Sequence, residues 1–172
     1  MLTLKSAILA AVINVLCTSW VMAQSKTFED WFVTKAKNGD TVAGVFVEDG
    51  SQQRFLGSRC FVDTKSCLHI LVTGTKCEDK MKIAILMNAK SGSALINATC
   101  SVNGSRYELL LSPYDSVRSG LTSGDMVGFA IPLESGSFRA VRFSLKGAVD
   151  ALNYGEEQLT PTKSSKGDSV TL

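Results

Sequence analysis

The chain is poor in the residues that carry most enzyme chemistry. It holds one histidine, His69, and no Gly-x-Ser-x-Gly elbow, so its single candidate general base has no recognisable nucleophile. None of its 14 glycines falls in a G-x-G-x-x-G or Walker pattern, and turn formation accounts for them without a nucleotide. No C-x-x-C occurs, which removes a thioredoxin-like redox pair and paired zinc knuckles. Charge excess is also missing: a formal net charge of +2 gives no pull toward nucleic acid or an anionic membrane. With 3 prolines and 20% charged residues, the composition is that of an ordinary globular domain, neither collagenous nor disordered.

What is present starts at the N-terminus. Lys5, an apolar run over residues 7–16 and then Val21-Met22-Ala23 have the pattern of a secretory signal peptide ending at Ala23. Asn14 and Thr18-Ser19 interrupt the apolar stretch, leaving it short of the roughly 20 residues of a membrane-spanning helix. Leu16 stands where lipidation of Cys17 would want a small residue. No later segment approaches spanning length. The mature chain would be 149 residues with a formal charge of +1, enough for one domain with its own core.

Removing Cys17 leaves Cys60, Cys67, Cys77 and Cys100, an even set that in an exported protein predicts two disulfides. Four cysteines allow three pairings. A two-residue turn at Asp63-Thr64 would place Cys60 opposite Cys67 and leave Cys77 for Cys100, although Asp-Thr is not a preferred turn pair.

Short β-rich segments follow one another between turn signals. Residues 28–34 read as a first strand around Trp31, ended by Asn38-Gly39-Asp40. Residues 41–47 and 53–56 flank Asp49-Gly50 as a hairpin, and residues 67–72, 82–87 and 94–100 read as core strands. Asn103-Gly104 turns into a strand over residues 106–111, one helical turn over residues 114–118 is stopped at Gly120, and strands follow at 126–131 and 138–144. A short helix over residues 147–153 closes the domain. The pattern predicts an all-β, sandwich or barrel-like single domain over residues 24–153, with a β-rich α+β fold as the alternative. The polar composition of residues 154–172 predicts a disordered tail.

Residue chemistry assigns no catalytic, cofactor-binding or metal-binding residue. His69 lies in an apolar run, where a packed histidine needs no functional explanation. Glycoside hydrolysis could draw on pairs such as Glu78-Asp79, but adjacent acids commonly mark solvated turns. Asn97-Ala98-Thr99 and Asn103-Gly104-Ser105 fit the glycosylation sequon, the second being equally a turn. Phe28, Trp31 and Phe32 form either a recognition patch or a core anchor.

The run Ser144-Leu145-Lys146-Gly147-Ala148-Val149 resembles the closing motif of the invasion-associated locus B family of exported bacterial proteins. Residues 98–105 followed by Tyr107 resemble its cysteine-containing segment, and Trp31 stands where that family has an early tryptophan. Lys35-Ala36-Lys37 and Ser105 occupy positions where the family commonly has cysteines, so its disulfide pattern does not transfer. The resemblance implies a β-rich envelope or secreted protein linked in some pathogens with host-cell invasion, with no catalytic residues to carry over. The combined expectation is a periplasmic or secreted, disulfide-stabilised, non-enzymatic binding or structural protein. It would need no cofactor, bind no nucleic acid, and have an envelope or host protein as partner. A hydrolase of envelope polymers is the alternative.

Overall fold

The computed structural model describes residues 25–159 except Ser51, Glu134 and the side chain of Asp49. The expected signal peptide over residues 1–23 lies outside the described residues. The elements are β1 (Ser25–Phe28), β2 (Trp31–Lys35), β3 (Thr41–Asp49), β4 (Gln52–Phe61), β5 (Ser66–Val72), β6 (Lys82–Ala89), β7 (Gly92–Asn103), β8 (Arg106–Ser112), α1 (Tyr114–Leu121), β9 (Met126–Pro132), β10 (Phe138–Ser144) and α2 (Ala148–Glu157). All strand pairings are antiparallel, in the spatial order β1-β2-β3-β4-β5-β8-β7-β6-β9-β10. The fold is all-β with two short helices, as expected.

Period-two alternation sets the inner face. Ile85, Met87 and Ala89 of β6, Val127, Phe129 and Ile131 of β9, and Val141 and Phe143 of β10 point into one core shared with Trp31, Leu56, Leu71 and Leu109. Each large side chain so buried stabilises the fold by roughly 1.5–3 kcal/mol before chain entropy is counted. The arginines of β10 sort by the same rule. Arg142 is exposed outside, while Arg139 sends its guanidinium to the Thr73 carbonyl and Thr75 Oγ1, both at 3.2 Å.

The sheet curls until its two ends meet. The Trp31 indole donates to the Ser144 carbonyl at 2.8 Å, Asp30 N–H donates to the Lys146 carbonyl at 3.3 Å, and Ser144 Oγ donates to Asp30 Oδ2 at 2.5 Å. Gly147 completes this joint. Its φ is +80°, and a β-carbon there would overlap the Phe28 carbonyl, so a glycine is required on both counts.

Beyond β4, which runs on to Phe61 where a strand over residues 53–56 was expected, three boundaries differ from the sequence expectation. Residues 28–34 are not one strand: Glu29, at φ 49°, and Asp30 turn the chain between β1 and β2. Gly120 does not stop α1. It is a buried position inside the helix, where the missing side chain lets the helix press on Met87 of β6. The third difference is at the C-terminus, where α2 runs to Glu157 and Tyr154, Gly155 and Glu156 belong to the domain rather than to a tail. The inward positions Ala148, Ala151, Leu152 and Gly155 keep helical spacing, and Gly155 was invisible to an apolar count because its burial follows from having no side chain. Residues 160–172 lie outside the described residues.

Both disulfides form with the pairing that the hairpin argument gave, Cys60–Cys67 and Cys77–Cys100. Cys60 and Cys67 are directly opposed on β4 and β5, although the loop between the strands is the four residues 62–65 rather than Asp63-Thr64 alone. Cys77–Cys100 ties the segment before β6 to β7, with Lys80 N–H donating to the Cys100 carbonyl and Cys100 N–H to Met81. Because the Cys60–Cys67 bridge spans a sequence separation of only 7, the Cys60→Ala/Cys67→Ala pair is expected to cost about 2 kcal/mol in denaturant unfolding. Failure to fold would show that this hairpin depends on its bridge and not on its ladder.

Candidate functional site

The outer face of β2, β3 and β4 carries an aromatic platform. Gly44 of β3 and Gly57 of β4 are directly paired in mid-strand. A β-carbon on either would overlap the Phe55 ring, which lies flat across both strands because neither residue has a side chain. Phe46 packs beside Phe55 with ring centroids 5.1 Å apart, and Phe32 stacks on Phe46 at 5.3 Å and 11°. Phe46 nonetheless keeps 49% of its surface exposed. The three rings, with Val42 and Val72, form the floor of a groove of about 440 Å³ that also reaches Thr34, Gln53, Arg59, Arg106 and Glu108. Its charges form one cluster: Arg59 and Arg106 approach the same oxygen, Glu108 Oε1, at 3.4 and 4.0 Å.

A second polar constellation is closed to solvent. His69 of β5 is 0% exposed and its ring stacks on Tyr114 of α1, with centroids 4.4 Å apart and planes 9° apart. Tyr114 Oη donates to Glu156 Oε1 at 2.7 Å. Arg118 donates to both oxygens of the same carboxylate, at 2.8 and 2.9 Å, and to Asn153 at 2.7 Å, so the cluster fastens α1 to α2. Neither ring nitrogen of His69 makes a hydrogen bond of normal geometry, the Tyr114 backbone offering only a poor one. Burial therefore lowers its pKa to about 4; the Glu156 charge opposes that shift, Arg118 reinforces it, and the Tyr114 backbone acts weakly against it. Burial, then the hydrogen bond to Glu156, raises Tyr114 to about 12. For Glu156 burial pushes upward, but the hydrogen bonds from Arg118 and Tyr114 and the Arg118 charge win and hold its carboxyl below the usual range. The bond to Glu156 correspondingly raises Arg118.

This constellation lacks the geometry of a hydrolytic centre. Ser58 is the cross-strand neighbour of His69, but its hydroxyl donates to the Leu68 carbonyl at 3.2 Å rather than to the imidazole. Glu78 and Asp79 lie in the segment before β6, and Asp79 Oδ1 accepts the Val102 N–H at 3.0 Å. Among the described residues no three His, Cys, Asp or Glu side chains gather as a metal set.

The early aromatic cluster divides three ways. Trp31 is wholly in the core, Phe28 is half-buried against Tyr154 at 5.6 Å, and Phe32 joins the outer platform. Sequence reasoning missed Phe46 and Phe55 as a surface. The available signal was the pair of mid-strand glycines, each two residues from one of those rings. Asn97 and Asn103, of the two sequons, are exposed on β7.

No family model matches the chain, and no curated protein matches it. Among solved structures, invasion-associated protein B of Bartonella henselae is similar, with 13% identity, 77% of this chain and 96% of that chain covered, and a TM-score of 0.57. At that identity the likeness establishes a shared fold.

Proposed function

We propose that this chain is an exported, disulfide-stabilised binding protein of the bacterial envelope, of the invasion-associated locus B type, that works through its surface and without catalysis. The observation carrying this reading is the contrast between its two constellations. His69 is sealed under Tyr114 with no nucleophile bonded to it, whereas Phe46 stands open beside the half-buried Phe55 on the floor of a groove shaped by two glycines. Aromatic side chains gathered in a groove are the usual anchors of recognition, and a contiguous apolar patch left at the surface marks an interaction site.

Two disulfides fit an oxidising compartment, and among the described residues no helix is long and apolar enough to cross a membrane. The Ser144-to-Gly147 run and Trp31, on which the family resemblance rests, meet in one joint that closes the sheet. That contact supports a common architecture with the structural relative.

The test compares retention of the purified exported protein on envelope and host-cell surface fractions for Phe46→Ser and His69→Phe. Phe46→Ser is expected to reduce saturable retention at least tenfold, with His69→Phe leaving it unchanged. Retention indifferent to Phe46, or turnover of an envelope polymer abolished by His69→Phe, would overturn the reading.

A further inference from the structure

We infer that the aromatic groove takes an extended peptide with an apolar side chain at one position and an acidic one two residues later. This rests on the binding-protein reading above and specifies its ligand. The charge cluster at the groove's edge argues for the acidic group. Two guanidiniums share a single carboxylate oxygen at 3.4 and 4.0 Å, so the cluster of Arg59, Arg106 and Glu108 carries one positive charge in excess. Arg106 is open to solvent, its side chain 69% exposed, so most of its donors face outward, and a guanidinium fork matches a carboxylate in two parallel hydrogen bonds. Glu48, the acid two residues beyond Phe46, is on β3, three strands from β8, and leaves the cationic side unopposed.

Spacing argues for the extended peptide. Phe55 pairs with Val72 on β5, and β8, with Arg106 and Glu108, is the next strand, so the ring floor and the cationic edge lie about two strand spacings apart, roughly 10 Å. Residues i and i+2 of an extended chain share a face and stand about 7 Å apart, and the spread of a phenylalanine and a glutamate side chain covers the rest. Phenylalanine and valine on the floor, with only Thr34 and Gln53 as uncharged polar neighbours, favour an apolar side chain over a sugar ring, which asks for many directed hydrogen bonds.

Titration of the exported protein with acetyl-Phe-Ser-Glu-amide, acetyl-Phe-Ser-Gln-amide and acetyl-Ser-Ser-Glu-amide, followed by amide chemical shifts, tests this. The acidic phenylalanyl peptide is expected to bind about tenfold more tightly than either of the others, an advantage that falls as salt is raised. Its shifts should map to Phe46, Phe55, Val72 and Arg106. Arg106→Gln should bring the acidic and neutral peptides within twofold of each other, and Phe46→Ser should weaken both; Arg106 is solvent-exposed and Phe46 half-exposed, so both changes lie outside the buried core, and an unchanged amide spectrum away from the groove checks that each variant is folded. Equal affinity for the acidic and neutral peptides, with Phe46 still required, overturns the acidic assignment and leaves the binding-protein reading standing. Binding indifferent to Phe46, or no shifts in the groove, overturns the groove itself. Tighter association with phosphatidylglycerol vesicles than with the peptide, lost in Arg106→Gln, overturns the peptide assignment in favour of a lipid surface.

Discussion

A chain ending at Asn153 is expected to lose about 4 kcal/mol of stability or more and to melt more than ~10 °C lower. The cut removes Glu156, whose carboxylate accepts from Tyr114 Oη and from Arg118 twice. Arg118 is partly buried, its side chain 24% exposed, so its charge would be left poorly solvated, with only the Asn153 amide oxygen still accepting from it. Thr41, 1% exposed, would lose the Gly155 carbonyl to which its hydroxyl donates at 3.1 Å. Tyr154 leaves with its packing on Phe28 and with the Lys26 ammonium 4.4 Å from its ring centroid. What remains of α2 would be six residues, too short to hold its own turns without tertiary support. A chain ending at Leu159 keeps every one of these contacts and is the control. Melting within ~2 °C of the full chain by circular dichroism for the Asn153 truncation would show that the second half of α2 does not stabilise the domain.

That prediction reverses what composition suggested, and the reason lies in which residues do the packing. From residue 154 onward the chain offers tyrosine, glycine and acids, with almost no large apolar group. Its inward contact is a glycine backbone against Thr41 and its fastening is an ion pair, neither of which registers as hydrophobic periodicity. Strands behaved oppositely. β6, β9 and β10 bury alternate apolar residues, so type and approximate limits were legible, as was the tight hairpin between β7 and β8, although its two turn residues are Gly104-Ser105 and Asn103 pairs with Arg106 as the last residue of β7. The Cys60–Cys67 bridge was legible for a related reason: antiparallel register carries a pair across a hairpin even when the loop itself is misread.

The groove was harder because its information is non-local. Phe46 and Phe55 look like ordinary strand residues until the β3–β4 register opposes them and sets Gly44 against Gly57. The joint that closes the sheet is similar. Trp31 and the run from Ser144 to Gly147 are separated by more than a hundred residues, and nothing in either segment names the other. In the fold they are one object, and Gly147 is tolerated at the head of a helix because the Phe28 carbonyl occupies the place of its side chain.

Acid should unlock the α1–α2 cluster. The unfolded chain protonates His69 near its ordinary value of 6.5, whereas the folded protein resists down to about 4. Between those values the unfolded state binds more protons, so stability falls as pH drops from about 6.5 toward 4, by roughly 3 kcal/mol in all, and this contribution levels off below. Glu156 adds to the loss from the other side. Its folded value is depressed, so the stability it supplies is complete above its ordinary value of 4.5 and disappears as pH falls through the folded value. The charged and titratable groups around the imidazole are Glu156 of α2 and Arg118 and Tyr114 of α1, with the Ser58 hydroxyl beside it on β4. Tyr114 stays neutral throughout, leaving the carboxylate and the imidazole to set the response. His69 is the only histidine, so its C2 proton reports without ambiguity, and its midpoint is expected near pH 4. His69→Phe keeps an aromatic ring against Tyr114 while deleting two nitrogens that make no hydrogen bond of normal geometry. It should preserve stability at pH 7 and flatten the decline between pH 6.5 and 4, with the Glu156 loss retained below that. A midpoint near 6.5, or an unchanged pH profile in the phenylalanine variant, would place the acid response elsewhere in the fold.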